Sequence, residues 1–269
     1  MILRKLNFKR LTGLLMVAMV ATGFYSCSDD DQDRNSARLV VHMTDAPGDY
    51  DAVFVDVIDV MIKAEASTTD EGWTSLPNVT KGVYDLLSLT GGVTQLLADT
   101  NVPAGQLGQI RLVLGSNNSV VINGQTQALA TPSAQQSGLK LMVNQNLEAG
   151  KMYEFLLDFN VDQSIVSAGA SGGFILKPVI RLAAMEGTGT ISGEVQPSLS
   201  QSVVKAQNAS NSISAYTDAN GNFTLHGVPT GTYQVTVTTA ASAGISVKTI
   251  NNVQIASGAN VDLGVIFLQ

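Results

Sequence analysis

The chain has one cysteine, two histidines and one tryptophan in 269 residues, and only 14% of its residues are charged. Because Cys27 stands alone, no disulfide can form within the chain, and folding must rest on apolar burial and strand ladders. Two histidines, His42 and His226, supply too few ligands for a zinc site. Both fall in strand-like runs, where a histidine ordinarily faces polar neighbours or solvent. No Gly-Lys-Ser/Thr loop is present to cradle a phosphate, and no long amphipathic helical period appears. The low charge content is unusual for a cytosolic enzyme. What is abundant instead is Thr, Ser, Asn, Gln, Gly and Val, as in extracellular β proteins.

Charge is also unevenly placed. Residues 1–26 hold Arg4, Lys5, Lys9 and Arg10 and no acidic residue, so the remainder carries 11 basic against 22 acidic side chains, a net charge of −11. A body this acidic repels phosphate backbones, which argues against nucleic acid as a partner. Residues 11–24 form an apolar run. At about 14 residues it is too short to span a bilayer, which takes about 20. It fits the hydrophobic region of a secretory signal.

That run ends at Tyr25-Ser26-Cys27. A small residue before a cysteine, directly after such a region, resembles a bacterial lipoprotein lipobox, although Phe24 and Tyr25 depart from its commonest residues. The resemblance implies cleavage before Cys27, acylation of that residue and a lipid bilayer as partner. More than one acyl chain makes such anchoring stable. Asp29, Asp30, Asp31 and Asp33 follow at once. They read as a solvated tether over 27–36, and they resemble the export signal of surface-exposed outer-membrane lipoproteins.

Beyond the tether, strand signals dominate. Residues 38–43 are a β-branched run, and residues 45–48 turn through Asp-Ala-Pro-Gly. Residues 52–63 form a long strand in which Val53, Val55 and Val57 share one face. The phase then passes to Ile58, Val60 and Ile62, which predicts a β-bulge near Val57. Further strands are expected over 83–89, 109–114, 120–122, 125–129, 139–143, 153–160 and 175–182, with a hairpin at Asn123-Gly124. Short helical turns are expected at 94–98 and 162–168. After a soft boundary at 186–189, seven short strands are expected in about eighty residues, over 190–195, 203–207, 212–216, 222–225, 232–238, 247–255 and 261–267. The fold class is therefore all-β: two β-sandwiches in tandem, over 37–185 and 188–269.

The C-terminal residues Gly193, Thr217-Asp218-Ala219-Asn220-Gly221-Asn222-Phe223 and Gly227-Val228-Pro229-Thr230-Gly231-Thr232-Tyr233 resemble the carboxypeptidase regulatory-like family. That resemblance implies a transthyretin-like sandwich without catalytic activity, acting as spacer or interaction module. Over about 36–184 the chain resembles domain of unknown function 4382. The cues are residues 41–47 (VHMTDAP), 83–87 (VYDLL), 102–105 (VPAG), 109–112 (QIRL), 136–140 (QSGLK), 158–160 (DFN) and 177–180 (KPVI). Several relatives carry Asp where Asn160 stands here. This second resemblance implies an envelope β-sandwich and no established activity.

No catalytic residue and no cofactor is assigned. Asp45 and Asp49 flank a Pro-Gly turn, where Asp usually bonds its own backbone; calcium is the weaker alternative. The same choice holds for Asp218 and Asn220, since no bidentate Glu follows where a calcium loop needs one. Tyr50 and Trp73 are the candidate ligand contacts, as stacking platforms for a sugar, against the ordinary use of a lone tryptophan as core. The expected role is a non-catalytic surface lipoprotein that binds, adheres or scaffolds, with an envelope protein or glycan as partner. The alternative is an accessory glycan-binding lipoprotein of a nutrient-uptake system.

Overall fold

A computed structural model describes residues 35–46, 48, 50–66, 69–131, 138–169, 173–198, 201–239 and 247–268. The signal segment, Cys27, nearly all of the tether and Asp49 lie outside the described residues.

Alternation of apolar and polar residues makes strands of nearly everything else. The first thirteen are β1 (Ser36–Ala46), β2 (Ala52–Lys63), β3 (Thr74–Ser75), β4 (Gly82–Asp85), β5 (Gln95–Pro103), β6 (Gly105–Leu114), β7 (Ser119–Ile122), β8 (Gln125–Ala130), β9 (Leu139–Leu147), β10 (Met152–Asn160), β11 (Ile165–Ser167), β12 (Phe174–Leu176) and β13 (Ile180–Ala184). Seven follow: β14 (Thr188–Gln196), β15 (Ser202–Gln207), β16 (Ser212–Tyr216), β17 (Asn222–Pro229), β18 (Gly231–Thr239), β19 (Val247–Ile255) and β20 (Asn260–Phe267).

The early strands build two sheets, one ordered β13-β10-β1-β5 and the other β11-β12-β8-β7-β2-β6-β9, with β3 and β4 also paired to β2. Leu39, Val41 and Met43 of β1, and Phe155, Leu157 and Phe159 of β10, point into the core between them. The late strands build a second pair, β17-β14-β20 and β16-β15-β18-β19, around Ile191, Phe223, Tyr233 and Val235. The chain is thus all-β, with two sandwich-type cores.

The bulge expected in β2 lies where the phase changes: the register against β6 shifts between Val57 and Asp59. Val53, Val55, Val57 and Val60 are fully buried, whereas Ile58, the extra residue, is 41% exposed. Four expectations need correction. The helical turn expected over 162–168 ends at Ser164, and Ile165–Ser167 form β11 against β12. Residues 94–98 are not helical, and 95–98 belong to β5, because Ala98 and Leu96 pair with β1 and Leu97 is buried. Residues 83–89 leave the sheet after Asp85, whose carboxylate caps a 3-10 turn, Leu86–Leu89, by accepting from the Leu87 amide at 3.1 Å. The run 175–182 splits into β12 and β13 around Lys177-Pro178, since proline cannot donate to a ladder.

Only one α-helical turn occurs among the described residues, α1 (Val161–Ser164). It is capped by Asn160, whose Oδ1 accepts from the Gln163 amide at 2.9 Å. Asn and Asp serve equally as N-caps, so this position needs an oxygen and no charge.

A loop after β2 crosses the outer face of the larger sheet. It passes over Gly108 of β6, where a Cβ would stand 2.5 Å from the Ala66 nitrogen. Gly108→Ala should therefore lift that loop and lower stability by about 1–3 kcal/mol. Chemical denaturation of the two proteins measures the difference.

Candidate functional site

The sequence-predicted residues do not converge. Tyr50 precedes β2 and is half-buried against the first core. Trp73 stands beside the far end of β2, where its neighbour Thr74 pairs with Ile62. A strand of that length separates the two rings by about 30 Å, so they form no common platform. Trp73 is also half-covered. The Arg111 guanidinium carbon lies 4.0 Å from its ring centroid and the Lys63 ammonium 5.7 Å, both cation–π contacts. Asp70 holds Arg111 at 2.8 Å and Lys140 at 2.7 Å, and those two cations draw its pKa below the usual carboxylate value. This arrangement fastens the loop over Gly108 to the sheet.

Asp218 uses its carboxylate on its own hairpin. Oδ1 accepts from the Asn220 and Asn222 amides at 2.9 and 2.8 Å, and the Asn222 side chain donates to Oδ2 at 3.1 Å. This is the turn role that Asp commonly takes. Among the described residues no group of three or more His, Cys, Asp and Glu is placed to hold a metal ion.

Asp45 behaves differently from the turn aspartate expected there. The inward phase of β1 runs through Leu39, Val41 and Met43 into Asp45, which is 3% exposed. Among the described residues neither of its carboxylate oxygens has a hydrogen-bond partner. Burial raises its pKa well above the ordinary 3.8, and the charges of Asp158 and Asp85 push the same way. The Val161 backbone amide opposes the shift without reaching hydrogen-bond geometry.

Sequence reading missed the polar group that joins the two sandwiches. Asp158 on β10 faces away from the first core and is buried, and its carboxylate accepts from Arg181 Nε at 2.9 Å. Burial raises the Asp158 pKa, and Arg181 opposes that rise. Arg181 then reaches into the second sandwich, donating to the carbonyls of His226 and Gly227 at 3.1 Å each. In return His226 Nε2 lies 2.8 Å from the Gly92 carbonyl of the first unit. Gly92 has φ +97°, and a Cβ there would stand 2.4 Å from Thr224 Cβ, so only glycine admits this approach. Between Asp158, Arg181 and His226 remains a cavity of about 10 Å³, the room of one water. The available signal was an arginine inside the otherwise apolar β13.

A family model described as "Domain of unknown function (DUF4382)" matches residues 36–178. The chain belongs to the DUF4382 family. No curated protein matches it. Solved structures similar to this DUF4382 protein include the TIE protein of Bacillus anthracis, at 12% identity and TM-score 0.22, covering 87% of this chain and 34% of that one. The chain thus spans about a third of that protein's length. The shaft pilin spaA of Lactobacillus rhamnosus GG matches at 9% identity and TM-score 0.20, covering 87% of this chain and 98% of that one. The major pilin T-13 of Streptococcus pyogenes matches at 9% identity and TM-score 0.18, with 87% and 97% covered. At such scores these likenesses carry no argument about this DUF4382 chain.

Two outcomes follow. Arg181→Ala leaves the Asp158 carboxylate buried without its cation and should cost about 3 kcal/mol, read by denaturant unfolding. Asp45 holds its proton more tightly folded than unfolded. Its contribution is therefore fully present below pH 3.8 and lost as pH rises through the raised folded value. Asp45→Asn should raise the melting temperature near pH 8, by about 1–2 kcal/mol of stability, and leave it unchanged near pH 3.

Proposed function

We propose that this chain is a non-catalytic envelope lipoprotein, fastened to the outer membrane by acylated Cys27 and displaying two β-sandwiches for binding, adhesion or scaffolding. The observation that carries the reading is the apolar run ending at Tyr25-Ser26-Cys27, with an acidic segment directly behind it. Strand β1 opens at Ser36, nine residues after that cysteine. Nine residues of chain span at most about 30 Å, so the body would sit close to the bilayer. The acidic run favours the cell surface over a periplasm-facing anchor.

The second unit is read as a carboxypeptidase regulatory-like module. Its support is the Asp218 hairpin, the bond from the Tyr233 hydroxyl to the Pro229 carbonyl at 2.9 Å, and the facing sheets of three and four strands. A second reading, an accessory glycan-binding lipoprotein of a nutrient-uptake system, draws support from the open polar face of the β17-β14-β20 sheet. It draws none from pairing Tyr50 with Trp73.

Cys27→Ser tests the anchor. The variant should move from the membrane fraction to the soluble fraction. Retention in the membrane at the wild-type level contradicts the reading.

A further inference from the structure

The outer face of the β17-β14-β20 sheet carries an open groove of about 400 Å³, within the range of small-ligand sites. Register explains its lining. Asn222 and Val265 flank Glu194, and Thr224 and Asp262 flank Ser192. Thr224 also touches the Gly92 approach, so one end of the groove abuts the seam between the two sandwiches. Clefts beside such seams are common ligand sites.

The chemistry of the lining is uniform. Ser192 and Thr224 bring hydroxyls, Asn222 an amide, and Glu194 and Asp262 carboxylates. Among the described residues, no Lys, Arg or His lines the groove. Asp262 uses Oδ1 on the Gly264 amide at 2.9 Å, and Glu194 uses Oε1 on the Gln196 side chain. The second oxygen of each has no partner among the described residues. Val265 of the lining is 48% exposed, and beyond the lining residues Phe267, opposite Gln196 on the same face of β20, is 66% exposed.

We propose that this groove binds a neutral glycan. Carboxylates with a free oxygen accept from sugar hydroxyls, the Ser, Thr and Asn groups both donate and accept, and an exposed phenyl ring packs on the apolar face of a pyranose. Two carboxylates without a basic partner repel sulfated or uronic-acid chains. The free edge of β20 suits strand addition poorly. Its register against β14 shifts between Ser192 and Glu194, and Gly264 bulges with φ +63°.

This deepens the glycan-binding reading and does not need the anchor. Failure of the anchor reading appears as retention of Cys27→Ser in the membrane, whereas failure of the groove appears as absent sugar affinity. The test is calorimetric titration of the full chain in detergent with maltoheptaose, cellopentaose and xylohexaose, each against wild type, Phe267→Ala and Ser192→Trp. At least one sugar should bind wild type. Phe267→Ala should weaken it about tenfold, and Ser192→Trp should abolish it, both with unchanged melting temperature. Absence of binding by all three sugars at millimolar concentration overturns the proposal. So does undiminished binding by folded Ser192→Trp.

Discussion

The structure depends on burying one alternate row of side chains from every long strand. No disulfide can relieve that demand within a chain holding one cysteine. Strand β1 shows how much rests on it. It pairs in parallel with β10 and antiparallel with β5, and its inward residues Leu39, Val41 and Met43 are fully buried. Its outward row meets the second sandwich through Thr44 and the neighbouring Asp158 of β10. One strand therefore serves a core on one side and a polar seam on the other. Only at its end does the rule produce a cost, where Asp45 is buried beside the seam cavity with no hydrogen-bond partner for its carboxylate among the described residues.

The seam joins two units that each bury their own apolar residues. It is polar, and its principal donor is Arg181. A guanidinium presents several donors in a fixed fork, so it can answer a carboxylate on one unit and two carbonyls on the other. A lysine carries its three donors on one nitrogen and lacks the planar spread by which Nε, Nη1 and Nη2 each meet a different acceptor. Gly92 supplies the complementary device, a backbone without a side chain where the units come closest. The groove on the second sandwich lies beside this contact, so a ligand there would touch the place where the units meet.

Much of the fold was legible in local pattern. The β2 bulge followed from the change of phase at Val57, and the seven short strands of the second unit followed from their turns. What was not legible depended on partners distant in sequence. Residues 95–98 carry no strong alternation and become strand because β1 offers a ladder to them. The Asp158–Arg181 contact is separated by 23 residues, and Arg181 meets His226 another 45 residues on. No spacing rule joins such positions. The single tryptophan drew attention as a ligand platform because aromatics are scarce, yet its ring is taken by Arg111 and Lys63. Cys27 is a different case, singled out by its neighbours in sequence and lying outside the described residues, where the fold does not test it.

The functional account joins a lipid anchor to a body that binds without reacting. Its location rests on the chemistry of one residue, and mass spectrometry of the mature N-terminal peptide reads that chemistry directly. The account predicts that the mature chain begins at Cys27 and carries diacylglycerol on the thiol together with an acyl group on the amine. A mature chain that begins elsewhere, or a Cys27 with an unmodified thiol, would contradict it.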